Sequence, residues 1–124
     1  GRWDEAGITM EATADGDGWT LSGTKMYVLD GHIASLVLVA ARTANGVSLF
    51  RVDGDAAGLT RTALATMDMT RKQARLEFDG VAATMIGAEG GGWTVLERVL
   101  DLAAVVLAAE QVGGAQICLD TAVQ

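Results

Sequence analysis

Apolar and polar residues alternate in short stretches through the first two-thirds of the chain. In residues 7–14 every second position is apolar, at Ile8, Met10, Ala12 and Ala14. A period of two is typical of a strand with one buried face. The next residues, Asp15-Gly16-Asp17-Gly18, carry the strongest hairpin signal in the chain, because glycine supplies the positive φ of a tight turn.

Further short strands follow, separated by turns rich in Gly, Asp and Asn. In the stretch 72–78 we expect Ala74, Leu76 and Phe78 to point inward. Turns are predicted at 43–46, 53–55 and Asp79-Gly80. The remaining predicted strands cover residues 19–29 (as one strand, or as two broken near Gly23), 36–41, 47–52, 59–66, 72–78 and 82–86.

Seven or eight short strands at regular spacing indicate an antiparallel barrel or sandwich over residues 1–87. After Gly87 the apolar period becomes that of a helix. Gly90-Gly91-Gly92 is expected to be a flexible joint. A helix from Trp93 and a longer one over 101–124, separate or joined to it, follow. The fold class is therefore mainly β with C-terminal α, and residues 88–124 form the second domain.

The second helix is apolar on all sides from Leu102 to Ala109, which requires burial in a bundle or in a membrane. Only eight apolar residues lie between Asp101 and Glu110, whereas a membrane span needs about twenty. We therefore expect no membrane span, and one or two helices of an incomplete bundle. The pattern still runs at Gln124, so we expect the chain to be a piece of a longer protein.

The net charge of −7 disfavours a nucleic-acid partner, because phosphate binding needs a basic face. A single cysteine, Cys118, leaves no internal disulfide and fits a reducing compartment. The first residues show no signal-peptide pattern. We expect a cytoplasmic location.

The residues alone form no catalytic or metal-binding constellation. His32 is the only histidine and is expected to be an exposed loop residue. Cys118 is expected to pack inside the helical region. The run Gly90–Gly92 lacks the Lys-Ser/Thr of a P-loop, which favours a hinge over a phosphate cradle. The expected surface pairs are Asp68 with Arg71 and Arg75 with Glu77.

The segment Gly23-Thr24-Lys25-Met26-Tyr27-Val28-Leu29-Asp30-Gly31 resembles the G-x-K-x-(W/Y)-I-T-N-G segment of the acyl-CoA dehydrogenase family. Further similar segments follow the family's order and spacing. They are residues 15–22 (a hairpin), 36–42 (a strand), 90–93 (Gly-Gly-Gly-Trp) and 108–116 (the small-residue-rich first long helix of the family's C-terminal bundle). The ordered set covers nearly the whole chain.

The resemblance implies a middle β-domain followed by the start of the C-terminal helical domain, with FAD bound at the junction of the family's domains. It also implies that Tyr27 packs against the isoalloxazine ring and that Val28 and Leu29 contact the flavin. From the residues alone, the favoured interpretation is that Tyr27 fills a core, because the residues of apolar strands usually do.

Two departures from the family pattern concern chemistry. Leu29 stands where the family usually has Thr or Ser, whose hydroxyl bonds the flavin edge. Ala103 and Ala104 stand where some members carry the catalytic glutamate and an arginine. We therefore expect no catalytic residue in this chain, and a general base, if there is one, beyond Gln124.

The resemblance predicts part of an FAD-dependent acyl-CoA dehydrogenase of fatty acid metabolism, inactive as this chain alone. Its substrate would be an acyl-CoA thioester, its electron acceptor an electron-transfer flavoprotein, and its assembly a homo- or hetero-oligomer. Two other hypotheses stay open. One is a non-catalytic subunit of a hetero-oligomer, and the other is a β-sandwich binding module outside the family.

Overall fold

The computed structural model describes residues 2–123, which divide into two compact units, Gly1–Trp93 and Thr94–Gln124. A short 3-10 turn, Glu5–Gly7, precedes the first strand. Six strands and one helix follow in the described part of the chain. They are β1 (Glu11–Asp15), β2 (Gly18–Leu29), β3 (Leu36–Thr43), β4 (Gly46–Asp53), β5 (Leu59–Ala63), β6 (Gln73–Ile86) and α1 (Gly92–Ala122).

The first unit is a small closed barrel. Its strands run in the order β2-β1-β3-β4-β6, and β6 pairs back onto β2 to close the ring, while β5 pairs with β6. The pairings are antiparallel except that of β1 with β3, which is parallel and consists of Glu11 opposite Arg42. The predicted class, mainly β with a C-terminal helix, is confirmed.

Alternating side chains of β2, β3, β4 and β6 fill the barrel. The fully buried ones include Leu21, Phe50, Leu76 and Val81. The ring centroids of Trp19 and Phe50 lie 5.6 Å apart in a tilted arrangement. Each fully buried aliphatic or aromatic side chain contributes about 1.5–3 kcal/mol to folding. This core fixes which side chains of β3, β4 and β6 point inward.

The prediction of seven or eight strands is wrong, because residues 72–78 and 82–86 belong to one strand. Asp79-Gly80 does not end β6. Gly80 has φ +61 and allows the strand to bend within the sheet. Ala74, Leu76 and Phe78 point inward as predicted. The hairpin turns after Asp15 and Thr43 are confirmed.

The glycines before the helix pack closely against the β3–β4 hairpin. The buried Ser48 hydroxyl accepts a hydrogen bond from the Gly90 amide at 2.8 Å. A Cβ added to Gly92 would lie 2.9 Å from the Ser48 backbone. The glycines Gly90 and Gly92 therefore pack tightly against the hairpin within the first unit, and glycine is needed at Gly92 because the two backbones approach so closely.

The second unit is the greater part of α1, a single helix of 31 residues, about 46 Å long. The sequence left open one joined helix or two, and the structure has one. Described residues 101–123 are exposed except Ala103. By length and composition the helix could cross a membrane, since one stretch of 18 residues has a mean hydropathy of 1.6 with none of it buried. That stretch of 18 residues is longer than the eight-residue apolar run counted above, so it includes at least one charged residue.

Candidate functional site

The three residues predicted to contact a flavin lie together at the end of β2. Tyr27 is 66% exposed and Leu29 is 62% exposed, whereas Val28 packs against the core. Val28 and Leu29 lie opposite Ala74 and Gln73 of β6. The interpretation of Tyr27 as a core side chain is wrong. Its ring is open to a ligand.

A β-bulge turns Tyr27 outward. The register with β6 passes from Lys25 opposite Leu76 to Val28 opposite Ala74, so Met26 and Tyr27 share one partner position. Tyr27 also has φ 59. A left-handed conformation costs a non-glycine residue about 1–2 kcal/mol, and strain of this kind concentrates at functional sites.

The bulge borders a surface groove of about 930 Å³. One wall is residues 22–27 of β2, the other is residues 7 and 9–11, and Arg2 and Trp3 also line it. The last pair between β1 and β2 on this side is Glu11 opposite Ser22. Among the described strands, β2 therefore has no hydrogen-bonded neighbour on this edge beyond Ser22, and the groove lies along that gap.

Lys25 spans the gap between β2 and β3. Its Nζ donates a hydrogen bond to the Ala40 carbonyl oxygen at 2.8 Å, although β2 and β3 are not neighbours in the sheet. Burial lowers the pKa of Lys25, because removal from water disfavours the charged form. A buried amine needs such a partner, and the carbonyl supplies one.

Arg42 of β3 holds the other wall of the groove. Its Nε donates to the Ile8 carbonyl at 2.6 Å, and its Nη2 donates to the Glu5 carbonyl. Its backbone amide donates to the Met10 carbonyl at 2.8 Å. Both walls are thus tied to β3 by cationic side chains that donate to backbone carbonyls.

The sequence analysis did not single out Lys25 or Arg42 as site residues. Lys25 had a detectable signal, because alternation from Leu21 through Gly23 places it on the inward face of β2. A charged residue on an inward face requires a partner. No local sequence pattern could have identified Arg42, since the carbonyl groups that accept its hydrogen bonds lie 34 and 37 positions earlier in the chain.

The expectation that His32 is exposed is wrong. The residue is partly buried, and its Nδ1 is buried without a hydrogen-bond partner among the described residues. The turn that carries it folds onto the barrel, and a Cβ at Gly31 would lie 3.1 Å from Val28 and 3.2 Å from Ala74. His32 is therefore part of a closely packed turn and is not an open loop residue.

The other residues discussed above lie outside the groove. Cys118 is exposed, which contradicts the expected packing, because most of α1 is uncovered in the described chain. Ala103 and Ala104 lie in the same helix and carry no ionisable group. Arg75 and Glu77 form the predicted surface pair at 2.6 Å.

Asp68 lies in the exposed segment between β5 and β6. The Thr70 hydroxyl and the Thr70 amide donate to its carboxylate at 2.6 and 2.8 Å. These hydrogen bonds, with a smaller contribution from Arg71, lower the pKa of Asp68. The arrangement stabilises a turn and adds no group to the groove.

Comparison with known proteins gives the family. Residues 1–81 match the model of the acyl-CoA dehydrogenase middle domain. This chain belongs to the acyl-CoA dehydrogenase family. A curated member, cyclohexane-1-carbonyl-CoA dehydrogenase of Geobacter metallireducens, is 32% identical over 126 residues, which cover 94% of this chain and 33% of that protein. The chain spans about a third of the length of the curated relatives that it matches.

Solved structures of the family share the fold. An acyl-CoA dehydrogenase from Geobacillus kaustophilus is 30% identical with a TM-score of 0.70, over 75% of this chain and 28% of that one. The ChsE4-ChsE5 complex of Mycobacterium tuberculosis is 26% identical with a TM-score of 0.69, and the match covers 77% of this chain and 27% of that one. A glutaryl-CoA dehydrogenase of Mycobacterium smegmatis in complex with FADH2 is 29% identical with a TM-score of 0.63, and the match covers 71% of this chain and 25% of that one. The similar structures thus include a complex of ChsE4 with ChsE5 and a glutaryl-CoA dehydrogenase that holds FADH2.

Proposed function

We propose that this chain supplies the β-domain side of the flavin site in an FAD-dependent acyl-CoA dehydrogenase. One observation carries the proposal: Tyr27 is turned out of the core by a bulge and exposes its ring beside a groove. An exposed aromatic ring held by a strained backbone is suited to stacking on a planar ligand. Membership of the acyl-CoA dehydrogenase family supports this assignment.

The residues present fit a flavin with one exception. The groove offers about 930 Å³, and the Tyr27 ring provides an aromatic wall. The peptide groups of Met26 and Tyr27 lie outside the register with β6, where they could bond a polar ring edge. The exception is Leu29, whose side chain has no group that could donate or accept a hydrogen bond.

When bound, FAD would accept the hydride that leaves the β-carbon of the acyl thioester as a base takes the α-proton and the α,β double bond forms. Tyr27 would cover the flavin, and its bulged backbone would hold the ring in place. Leu29, at 62% exposure, would exclude water from the flavin edge. Ala103 and Ala104 hold no proton, so the base belongs to another part of the protein.

The same proposal gives the partners and the setting. The substrate is an acyl-CoA thioester of fatty acid metabolism, and an electron-transfer flavoprotein reoxidises the flavin. The protein is an oligomer of the cytoplasm. Family membership argues against the hypothesis of an unrelated β-sandwich module.

A second candidate function is a non-catalytic subunit whose partner supplies the base. Leu29 and the pair Ala103 and Ala104 favour it, because each lacks a group that family members use. The similar ChsE4-ChsE5 structure is a complex of two named proteins, which is compatible with this alternative.

The test is an anaerobic absorption spectrum of the protein expressed from its complete gene, before and after addition of a panel of acyl-CoAs. We expect a bound flavin that bleaches with one of them. A flavin that stays oxidised with all of them would favour the non-catalytic subunit, and a protein that never carries flavin would refute both the cofactor and the site.

Two variants connect this result to the site. Tyr27→Phe keeps the ring and should keep the flavin. Tyr27→Gly removes the ring and should weaken flavin binding by about two- to tenfold, since stacking of this kind contributes roughly 0.5–1.5 kcal/mol beyond area burial. Equal flavin affinity in both variants would contradict the role of Tyr27.

A further inference from the structure

The bulge in β2 reverses which residues face the barrel interior. Leu21, Gly23 and Lys25 occupy every second position on one side of β2. Leu21 is fully buried, a Cβ on Gly23 would lie 3.2 Å from the Met10 side chain of the core, and Lys25 is partly buried. If that alternation continued, Tyr27 and Leu29 would point inward. The two-for-one register after Lys25 makes Val28 the next inward residue instead, and it packs against the core. Tyr27 and Leu29 are exposed as a result.

Strand pairing alone does not place the bulge. Residues 19–21 of β2 are held on both edges, by β1 and by β6. At its end, Val28 and Leu29 pair with β6, and the next amide, Asp30, donates to the Lys72 carbonyl at 2.9 Å. Between these anchors, β2 is paired on one edge only. A slip of one residue there would return Tyr27 to the interior.

Lys25 is the last inward residue before the bulge, and its side chain makes a hydrogen bond across the open edge. Nζ donates to the Ala40 carbonyl at 2.8 Å, and the side chain is partly buried. If Lys25 turned outward, the Ala40 bond would be lost, and if it stayed inward without that bond, a buried amine would lose its partner. Either change is costly, because hydrogen bonds to charged groups contribute more than neutral ones.

We propose that Lys25 is a positioning residue for Tyr27: its hydrogen bond to the Ala40 carbonyl fixes the inward side of β2 and so places the bulge that turns Tyr27 into the groove. The link to a flavin rests on the proposed function. The Lys25 hydrogen bond and the backbone conformation of Tyr27 can be tested without a bound flavin.

The test uses NMR of the full chain. The three-bond HN–Hα coupling and the intraresidue HN–Hα NOE of Tyr27 report its positive φ. Lys25→Met removes the donor, and Lys25→Arg keeps a cationic donor. Lys72→Met is the matched control, because Lys72 is exposed and is the other lysine of the chain.

We expect Lys25→Met to lower the ratio of bulged to slipped β2 by about tenfold or more, since a bond to a charged donor is typically worth 1.5–3 kcal/mol. Lys25→Arg should restore the positive φ, and Lys72→Met should leave it unchanged. A positive φ at Tyr27 that survives in Lys25→Met at the wild-type population would overturn the proposal. If that variant does not fold, Lys25→Ala, which also removes the donor, is read in the same way.

Flavin affinity of the protein expressed from its complete gene separates this inference from the proposed function. Weaker flavin binding in Lys25→Met but not in Lys72→Met supports both. Unchanged binding, together with an unchanged Tyr27 conformation, overturns the positioning role and leaves the flavin site standing. A wild-type protein without flavin, whose Tyr27 still depends on Lys25, overturns the proposed function alone.

Discussion

The positive φ of Tyr27 predicts a reversal in the relative stability of alanine and glycine variants. Tyr27→Ala and Tyr27→Gly lose the same exposed ring. They differ in that alanine must keep the left-handed backbone at φ 59 and glycine is free to adopt it. Any difference between the two variants therefore measures the backbone and not the side chain.

The expected magnitude follows from two opposing effects. The left-handed conformation costs alanine about 1–2 kcal/mol, which glycine avoids. Glycine loses about 0.5–1 kcal/mol more than alanine through the greater freedom of its unfolded chain. Tyr27→Gly should therefore unfold with a free energy about 0.5–1 kcal/mol higher than that of Tyr27→Ala.

Thr24 provides the matched control, because it is exposed in the same strand, lies opposite Glu77 and has no positive φ. Thr24→Gly should be less stable than Thr24→Ala by about 0.5–1 kcal/mol. Urea denaturation of the four variants measures both differences. If the glycine variant is the weaker one at both positions by the same amount, the strained bulge is not a property of the folded chain.

Two further predictions concern packing and pH. Gly92→Ala should destabilise the chain by about 1–3 kcal/mol, because its Cβ would lie 2.9 Å from the Ser48 backbone, whereas Gly114→Ala, with nothing within 4 Å, should be neutral or stabilising; thermal melts compare them. The lowered pKa of Asp68 means that its hydrogen bonds from Thr70 stabilise the fold above the unfolded pKa and lose this effect as the pH falls through the lower folded pKa. Asp68→Asn should therefore lose less stability than the wild type as the pH falls below the usual pKa of an aspartate, about 3.9, and equal losses of stability in the two acid titrations would contradict this.

The turns and most strands could be predicted from the sequence because local chemistry fixes them. Asp15-Gly16-Asp17-Gly18 forms its hairpin from its own residues, and the alternation that ends at Phe78 sets one face of β6. The continuation of β6 past Gly80 could not be predicted in the same way. Asp79-Gly80 is a typical turn sequence. Only the pairing of the residues after Gly80 with β2 and β4 shows that β6 continues.

The candidate site shows the same limit. The sequence identified Tyr27, Val28 and Leu29, but strict alternation from Leu21 predicts Tyr27 inside the barrel. A bulge is a property of two strands, and the shift appears only when β2 is laid against Leu76 and Ala74 of β6. The groove depends on a gap beside β2 and on contacts from distant Arg42, which no local pattern encodes.

Strand β6 also constrains how the barrel is made. It pairs with residues of β2, β4 and β5, so the ring cannot close before the last strand of the barrel has left the ribosome. The hairpins of β1 with β2 and of β3 with β4 can form earlier from nearby residues. Until β6 arrives, β2 has an unpaired edge along most of its length. Nascent chains that stall before Gln73 should therefore be the ones that need protection from aggregation.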